Sequence, residues 1–447
     1  MNIKKYNIPV PRYTSYPTVP YWQSPSPTSA NWKNAVINAM EITPALSLYI
    51  HLPFCESLCT YCGCNKRITK NHAVEHPYIQ SVLKEWELYK RIFPKTPIIK
   101  EIHLGGGTPT FFSPQSLELL VKGILKGMQI PESHEFSFEA HPSSTTTEHL
   151  STLSKLGFNR LSIGVQDFAP EILKIINRHQ TTEQVERVVH SARAYGYDSI
   201  NFDLIFGLPL QTKKHIRQTI QKVSELQPER IAFYSYAHVP WISPSQRAYS
   251  EADLPQGEDK RALYELGKEL LEEFGYHEIG LDHFALAKDE LYQAWEKGRL
   301  HRNFMGYTAQ YTRLSIALGV SAISDSWDCY IQNEKKVERY QEQIEQGQFP
   351  IIKGHELSKE DQFFRQHILN IMCQNKTSWT LEDLKRGSFK AALTRLEALE
   401  TDGLIDLHTF NLRVTESGRP FLRNICQQLD NRYWAKQPKK QVFSQAI

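Results

Sequence analysis

Between residues 46 and 239 the chain alternates two kinds of hydrophobic run. Short runs rich in β-branched and aromatic residues predict buried strands over 46–52, 98–104, 135–140, 160–165, 199–206 and 230–237. Longer runs with an apolar face at helical spacing predict helices over 77–93, 114–127, 147–156, 182–195 and 214–226. Parallel neighbours need a crossover, usually a helix, so six such alternations predict a parallel α/β sheet. Six units fall short of the eight that close a barrel, and the expectation is a partial, open (β/α)6 TIM-like barrel. Residues 1–35 carry proline, serine and aromatics without a period and predict an extended N-terminal arm. A main domain over 36–355 and a mainly helical C-terminal domain over 356–447 complete the division. In the latter, helical patterns at 359–372, 380–386 and 390–401 precede a hairpin at 404–415, which suggests a winged helix.

In α/β folds of this kind ligands gather where strands run out into the following loops. The first strand carries Tyr49 and leaves into a cysteine-rich loop. The second leaves into Gly105-Gly106-Gly107-Thr108. The third ends at Glu139, the fourth at Gln166, the fifth passes Asp203 and the sixth ends at Ala237. Chemically unusual residues are therefore expected at one mouth of the barrel.

The loop reads Cys55-Glu-Ser-Leu-Cys59-Thr-Tyr61-Cys62-Gly-Cys64 and holds four of the chain's seven cysteines. Cys55, Cys59 and Cys62 can converge on one centre, as in short thiolate runs that hold iron-sulfur clusters. Three protein thiolates would leave one iron of a four-iron cluster open to another ligand. A zinc site normally closes with a second cysteine pair, which is absent downstream, although Cys64 could act as a fourth ligand. An odd cysteine count with scattered partners argues against disulfides.

Composition narrows the setting. The 447 residues exceed one hydrophobic core, and 40% hydrophobic with 23% charged residues is ordinary for a globular protein. A net charge of +3 is too mild to argue for nucleic acid and suits a polyanionic small substrate equally well. No run reaches the length of a membrane span, and the opening residues lack a signal core, so a cytoplasmic setting is expected.

The C-x3-C-x2-C run with Tyr61 before the third cysteine resembles the cluster loop of the radical S-adenosylmethionine (SAM) superfamily. Together with Tyr49-Ile-His-Leu-Pro-Phe-Cys55, Cys62-Gly-Cys-Asn-Lys66 and Arg12-Tyr-Thr-Ser-Tyr-Pro-Thr18, it is similar to the oxygen-independent coproporphyrinogen III oxidases. That resemblance implies a 4Fe-4S cluster on Cys55, Cys59 and Cys62 and two molecules of S-adenosylmethionine. Tyr49, Gly106, Glu139 and Ile323 would contact the first molecule. Tyr61, Gly107, Thr108, Gln166, Arg178, Asp203 and Ala237 would contact the second. It implies catalytic roles for Tyr49, Cys64, Glu139 and Phe304, with Cys64 outside the cluster. The expected reaction splits S-adenosylmethionine to a 5'-deoxyadenosyl radical. The radical takes hydrogen from substrate propionates of coproporphyrinogen III, which lose carbon dioxide and become the vinyl groups of protoporphyrinogen IX.

Segments 280–285 and 301–308, dense in polar and aromatic residues, resemble the family's pocket-covering loops. Met305 stands where the family pattern has glutamine, and His141 where it has an acidic residue. Arg12, Arg178 and Arg302 are candidate propionate partners, since guanidinium pairs bidentately with carboxylate. An electron-donor protein, a monomeric state and no nucleic-acid partner are expected. Two other readings stay open: a haem chaperone-like member of the same family that binds haem without oxidase activity, and a zinc-stabilised nucleic-acid regulator.

Overall fold

The structure is a computed structural model describing residues 3–22, 25–241, 243–438, 440 and 442–446. Six strands carry the sheet's parallel centre: β1 (Ala45–Leu52), β2 (Ile98–Gly106), β3 (Glu135–Ala140), β4 (Arg160–Gln166), β5 (Ser199–Phe206) and β6 (Arg230–Ser235). They pair in chain order, each parallel to the last. Helices Glu75–Lys90, Pro114–Leu125, Thr147–Lys155, Thr182–Ala194 and Lys213–Leu226 fill the crossovers. Capping boxes start the last three of these helices, with Thr146, Thr181 and Thr212 at the caps. The side chain three residues on returns the hydrogen bond, satisfying backbone donors that a helix start leaves orphaned.

The sheet extends well beyond those six strands. On one side, β8 (His283–Leu286) lies antiparallel to β6 and β7 (Tyr276–Gly280) antiparallel to β8; on the other, β9 (Leu314–Leu318) lies parallel to β1. β10 (Ile323–Asp325), β11 (Cys329–Asn333) and β12 (Ile351–Glu356) continue from β9, giving the order β12-β11-β10-β9-β1-β2-β3-β4-β5-β6-β8-β7. The segments around 280–285 and 301–308 are therefore not loops. The first is the β7–β8 turn, and the second is a hairpin of His301–Asn303 with Gly306–Thr308.

Alternation along the strands divides the sheet into two faces. Ile50, Leu104, Phe138, Ile163, Phe202 and Ile231 point outward and pack under the helices in one large core. The opposite phase lines the interior with polar groups. At the N-terminal end Glu135 lies between Arg160 and Arg230, and Arg230 Nε donates to Asp289 at 2.6 Å. Glu101 accepts from Ser47 and from Thr308 of the hairpin, each at 2.8 Å. Buried charges are tolerated only when paired and hydrogen-bonded, and this layer closes the floor of the barrel.

The arm differs from the expectation at both ends. A short helix (Ile3–Tyr6) precedes it, and helix Ser29–Ile42 begins within the stretch read as extended, because Thr28 and Asn31 form a capping box. Tyr6, Tyr13 and Tyr16 enter the C-terminal domain's core beside Phe364, Phe389 and Leu422 rather than the barrel's. The Tyr13 hydroxyl donates to Asp430 at 3.1 Å. That domain comprises helices Lys359–Gln374, Gly387–Thr401 and Leu422–Gln428 with a three-stranded sheet of Lys376–Ser378, Asn411–Val414 and Ile405–His408. The pattern at 380–386 forms a single 3-10 turn, Asp383–Lys385, and the next helix starts earlier than its apolar period indicates. Among the described residues no helix is long and apolar enough to cross a membrane.

Candidate active site

The unusual residues collect at one mouth, at the C-terminal ends of β1–β6. Three glycines set the close packing there. A Cβ on Gly105 would lie 3.0 Å from the Tyr49 ring and 3.1 Å from Glu139 Oε1. Gly106 has φ +119° and a Cβ there would lie 2.8 Å from the His51 ring, while a Cβ on Gly107 would lie 2.6 Å from the Pro53 carbonyl. Backbone pairing explains this closeness: the Gly107 amide donates to Leu52 at 2.9 Å and the Thr108 amide to Phe54 at 3.0 Å. Only glycine lets one strand end lie this tightly on the stem of the cysteine loop.

Cys55, Cys59 and Cys62 line a single cavity of about 100 Å³ with Tyr61, Lys66, Gly107, Thr108 and Arg178. The Thr108 hydroxyl donates to Cys55 Sγ at 3.3 Å. Arg178 Nη1 donates to Cys59 Sγ at 3.6 Å and to the Tyr61 hydroxyl at 3.4 Å, while its remaining donors go to Gly164 O and Gln180. The Cys64 thiol donates to Cys62, whose pKa is drawn down to about 6, whereas burial pushes Cys55 up to about 11. A loop of three thiols, each supplied with its own donor or cation, fits an electron-rich iron-sulfur cluster.

A second cavity, about 240 Å³, is lined by Tyr49, His51, His103, Glu139, Phe304, Met305 and Ile323, with Ser315, Ser321 and Ala322. Glu139 accepts from the Gly106 amide at 3.2 Å, and His103 Nε2 lies 3.5 Å from its other oxygen. Burial by itself would raise this carboxyl; His103 and the Gly106 amide outweigh it and hold the group ionised, below its ordinary range. Register explains the grouping, since Tyr49 pairs with His103 and His51 with Gly105 across β1 and β2.

The structure thus brings Tyr49, Glu139, Phe304 and Ile323 into one cavity and Tyr61, Gly107, Thr108 and Arg178 into the other. Gly106 joins them through its amide. Gln166, at φ +68°, lies against Gly164 beside Arg178. Asp203 stands deeper, accepting from Ser162 at 2.9 Å and Asn201 at 2.9 Å, with burial and then Glu139 raising its carboxyl to about 6. Ala237 borders a third cavity beyond β6. Cys64 is exposed and lines none of the three. His141 lines the cysteine cavity, its Nδ1 taken up by the Ser143 amide and hydroxyl. Met305 is held by its own amide on Asn303 at 2.9 Å.

Four residues of the site escaped the sequence reading. His51 and His103 occupy the same inward phase as Tyr49 and Glu139, so extending the alternation along each strand would have found them. Gln246 and Ser243 brace the loop: the Gln246 amide donates to Tyr61 O at 2.9 Å and Ala237 O at 3.1 Å, and the Ser243 hydroxyl to Cys62 O at 3.1 Å. No period or motif marks those two.

Comparison with known proteins shows the family. The description of the radical SAM superfamily matches residues 49–223. Over its whole length the chain is 37% identical to the oxygen-independent coproporphyrinogen III oxidase of Pseudomonas aeruginosa, covering 98% of that protein. It is 36% identical to the Escherichia coli enzyme of the same name, covering all of this chain and 97% of that one. The solved structure of the E. coli coproporphyrinogen III oxidase, described as a radical SAM enzyme, superposes with a TM-score of 0.88 at 35% identity, over 94% of this chain and 97% of that one. The fold is that of a radical SAM enzyme. Within that class the chain belongs to the oxygen-independent coproporphyrinogen III oxidase family.

Proposed function

We infer that this chain carries out the oxygen-independent oxidative decarboxylation of two propionate side chains of coproporphyrinogen III, giving the vinyl groups of protoporphyrinogen IX in haem biosynthesis. The observation that carries this is identity of 36–38% across 95% or more of the chain with enzymes of that name, joined to three thiols on one cavity. A 4Fe-4S cluster with S-adenosylmethionine, as used across the superfamily, supplies a 5'-deoxyadenosyl radical when bound. Cys55, Cys59 and Cys62 would hold the cluster, and Thr108, Arg178 and Lys66 would stabilise charge on its sulfurs.

With the cluster on the cysteines, the Glu139 cavity supports one molecule of S-adenosylmethionine, and the residues flanking the cysteine cavity support a second. The ionised Glu139 and the Gly106 backbone suit the ammonium and carboxylate of an amino acid in the first. Arg178 and Tyr61 suit the second, and Asp203 could accept from a ribose hydroxyl there. The protein's own work is to hold each propionate β-carbon against the radical and to exclude water and oxygen. Each propionate gives up one hydrogen atom, carbon dioxide and one further electron as the double bond forms. We propose a cytoplasmic monomer served by a separate electron-donor protein, with no nucleic-acid role for the winged domain.

The test is anaerobic reconstitution with iron and sulfide followed by incubation with coproporphyrinogen III, S-adenosylmethionine and a reductant. Vinyl product and 5'-deoxyadenosine should appear together. Haem binding without turnover, or zinc in place of iron, would overturn the reading.

A further inference from the structure

Beyond the two cavities at the mouth lies a smaller one, about 60 Å³, walled by segments far apart in sequence: Arg12 of the arm, Tyr234 of β6, Asp282 of the β7–β8 turn, Arg302 of the hairpin, and Arg419 and Arg423 of the C-terminal domain. Among the described residues five guanidinium groups face two carboxylates there. Most of them are spent within the protein. Arg261 pairs with Glu265, and Arg419 with Glu278. Arg423 donates to backbone carbonyls of the arm and the C-terminal tail, at Val10, Pro11 and residues 444–446.

Arg302 differs. It is only 8% exposed, its guanidinium lies 4.6 Å from the Tyr307 ring, and its Nε and Nη1 meet no hydrogen-bond partner among the described residues. Among the described residues Arg12 makes one hydrogen bond, Nη2 to Ser235 O at 3.1 Å. A buried guanidinium with unmet donors is costly unless an anion completes it. About 10–15 Å³ holds a water, so this cavity takes a carboxylate and its flanking methylene and excludes a macrocycle. Its wall Ser235 is shared with the cavity that Ala237 borders, and its Tyr234 stands two residues along β6 from Ala232, the register partner of Asp203, so the cavity lies on the same inner face of the sheet as the site.

On the reading of coproporphyrinogen III as substrate, we propose that Arg302, with Arg12 beside it, binds the carboxylate of a propionate that is not decarboxylated and so orients the macrocycle. A carboxylate paired with a buried guanidinium and set apart from the cysteines is held against loss of carbon dioxide, while the reacting propionates must lie at the radical. Arg302 is thus a specificity-determining residue, and the arm helps complete the site.

The test uses the full chain. Coproporphyrin III, which carries the same four carboxylates, is titrated by fluorescence against wild type and Arg302→Gln, alongside its tetramethyl ester. The free acid should bind R302Q roughly tenfold or more weakly, the loss expected for one charge-assisted pair. Arg302→Lys should recover part of that, and the ester should bind both proteins equally. With reconstituted enzyme, R302Q should raise KM for coproporphyrinogen III with little change in kcat, raise 5'-deoxyadenosine formed per vinyl group, and leave KM for S-adenosylmethionine unchanged. Should R302Q fail to fold, Arg12→Gln on the arm decides by the same measurements. Equal binding of the free acid by wild type and both variants, or a change confined to S-adenosylmethionine, overturns the proposal. A wild type that neither binds nor converts the porphyrin overturns the substrate reading first.

Discussion

Replacing Gly107 with alanine perturbs the site without touching a cysteine. The added Cβ would lie 2.6 Å from both the carbonyl carbon and the oxygen of Pro53 and 2.8 Å from Phe54 O, whereas ordinary contact begins at about 3.4 Å. These are backbone atoms fixed by the Gly107–Leu52 and Thr108–Phe54 hydrogen bonds, so no rotamer change relieves the clash. The two segments must part by roughly 0.8 Å, one residue before Cys55, and the 3.3 Å Thr108–Cys55 contact opens with them. Overpacking of this kind costs about 1–3 kcal/mol in stability, and misplacing a reacting group by ~1 Å costs on the order of a hundredfold in rate. Iron and sulfide content, the visible absorbance of the reconstituted cluster and turnover are measured for G107A. Gly387→Ala serves as control, since nothing lies within 4 Å of its Cβ. G107A should fold, retain less cluster than wild type and turn over at roughly 1% of its rate, while G387A matches wild type. A G107A enzyme with full cluster content and unchanged turnover refutes the packing argument.

Glu139→Gln should raise KM for S-adenosylmethionine at least tenfold, the scale of one charged hydrogen bond, while leaving cluster absorbance intact; an unchanged KM removes Glu139 from the first cofactor cavity. Deleting residues 1–22 should spare the cluster but abolish most turnover and lower the melting temperature. It removes Tyr13 and Tyr16 from the C-terminal core, at about 1.5–3 kcal/mol for each buried ring. Asp361 joins two C-terminal helices through Arg432, at 2.8 and 2.9 Å, and caps the first through Ser358. Burial opposes its ionisation, but His355, Arg432 and Ser358 prevail and hold its pKa below the ordinary 3.8. Its stabilisation is therefore present above about pH 4 and lost as pH falls toward the depressed value. Asp361→Asn should cost about 2 kcal/mol at pH 7, with the gap to wild type narrowing below pH 4, as read by urea unfolding across pH; a pH-independent gap would refute the charge argument.

Local pattern alone determined the barrel's six strands and five crossover helices. Burial on one face imposes a period that any short window displays, and Thr at a helix start caps its own neighbours. The cysteine spacing and the glycine run were legible for the same reason: each acts within one loop. The helices at 359–374 and 387–401 and the hairpin near 405–414 were legible for the same reason, but the stretch from 240 to 356 was not. β9 joins β1 across more than 260 residues, a pairing that no window contains, and the polar, aromatic hairpin at 301–308 carries too few residues for a period to emerge. The inward phase of His51 and His103 was present in the sequence but acquires meaning only once register sets β1 against β2. The arginine cavity is the extreme case. The sequence offered Arg12 and Arg302 as propionate partners alongside Arg178 and left Arg419 and Arg423 unmarked, and only tertiary packing decides which guanidinium finds a carbonyl, which finds a carboxylate, and which is buried with its donors unmet.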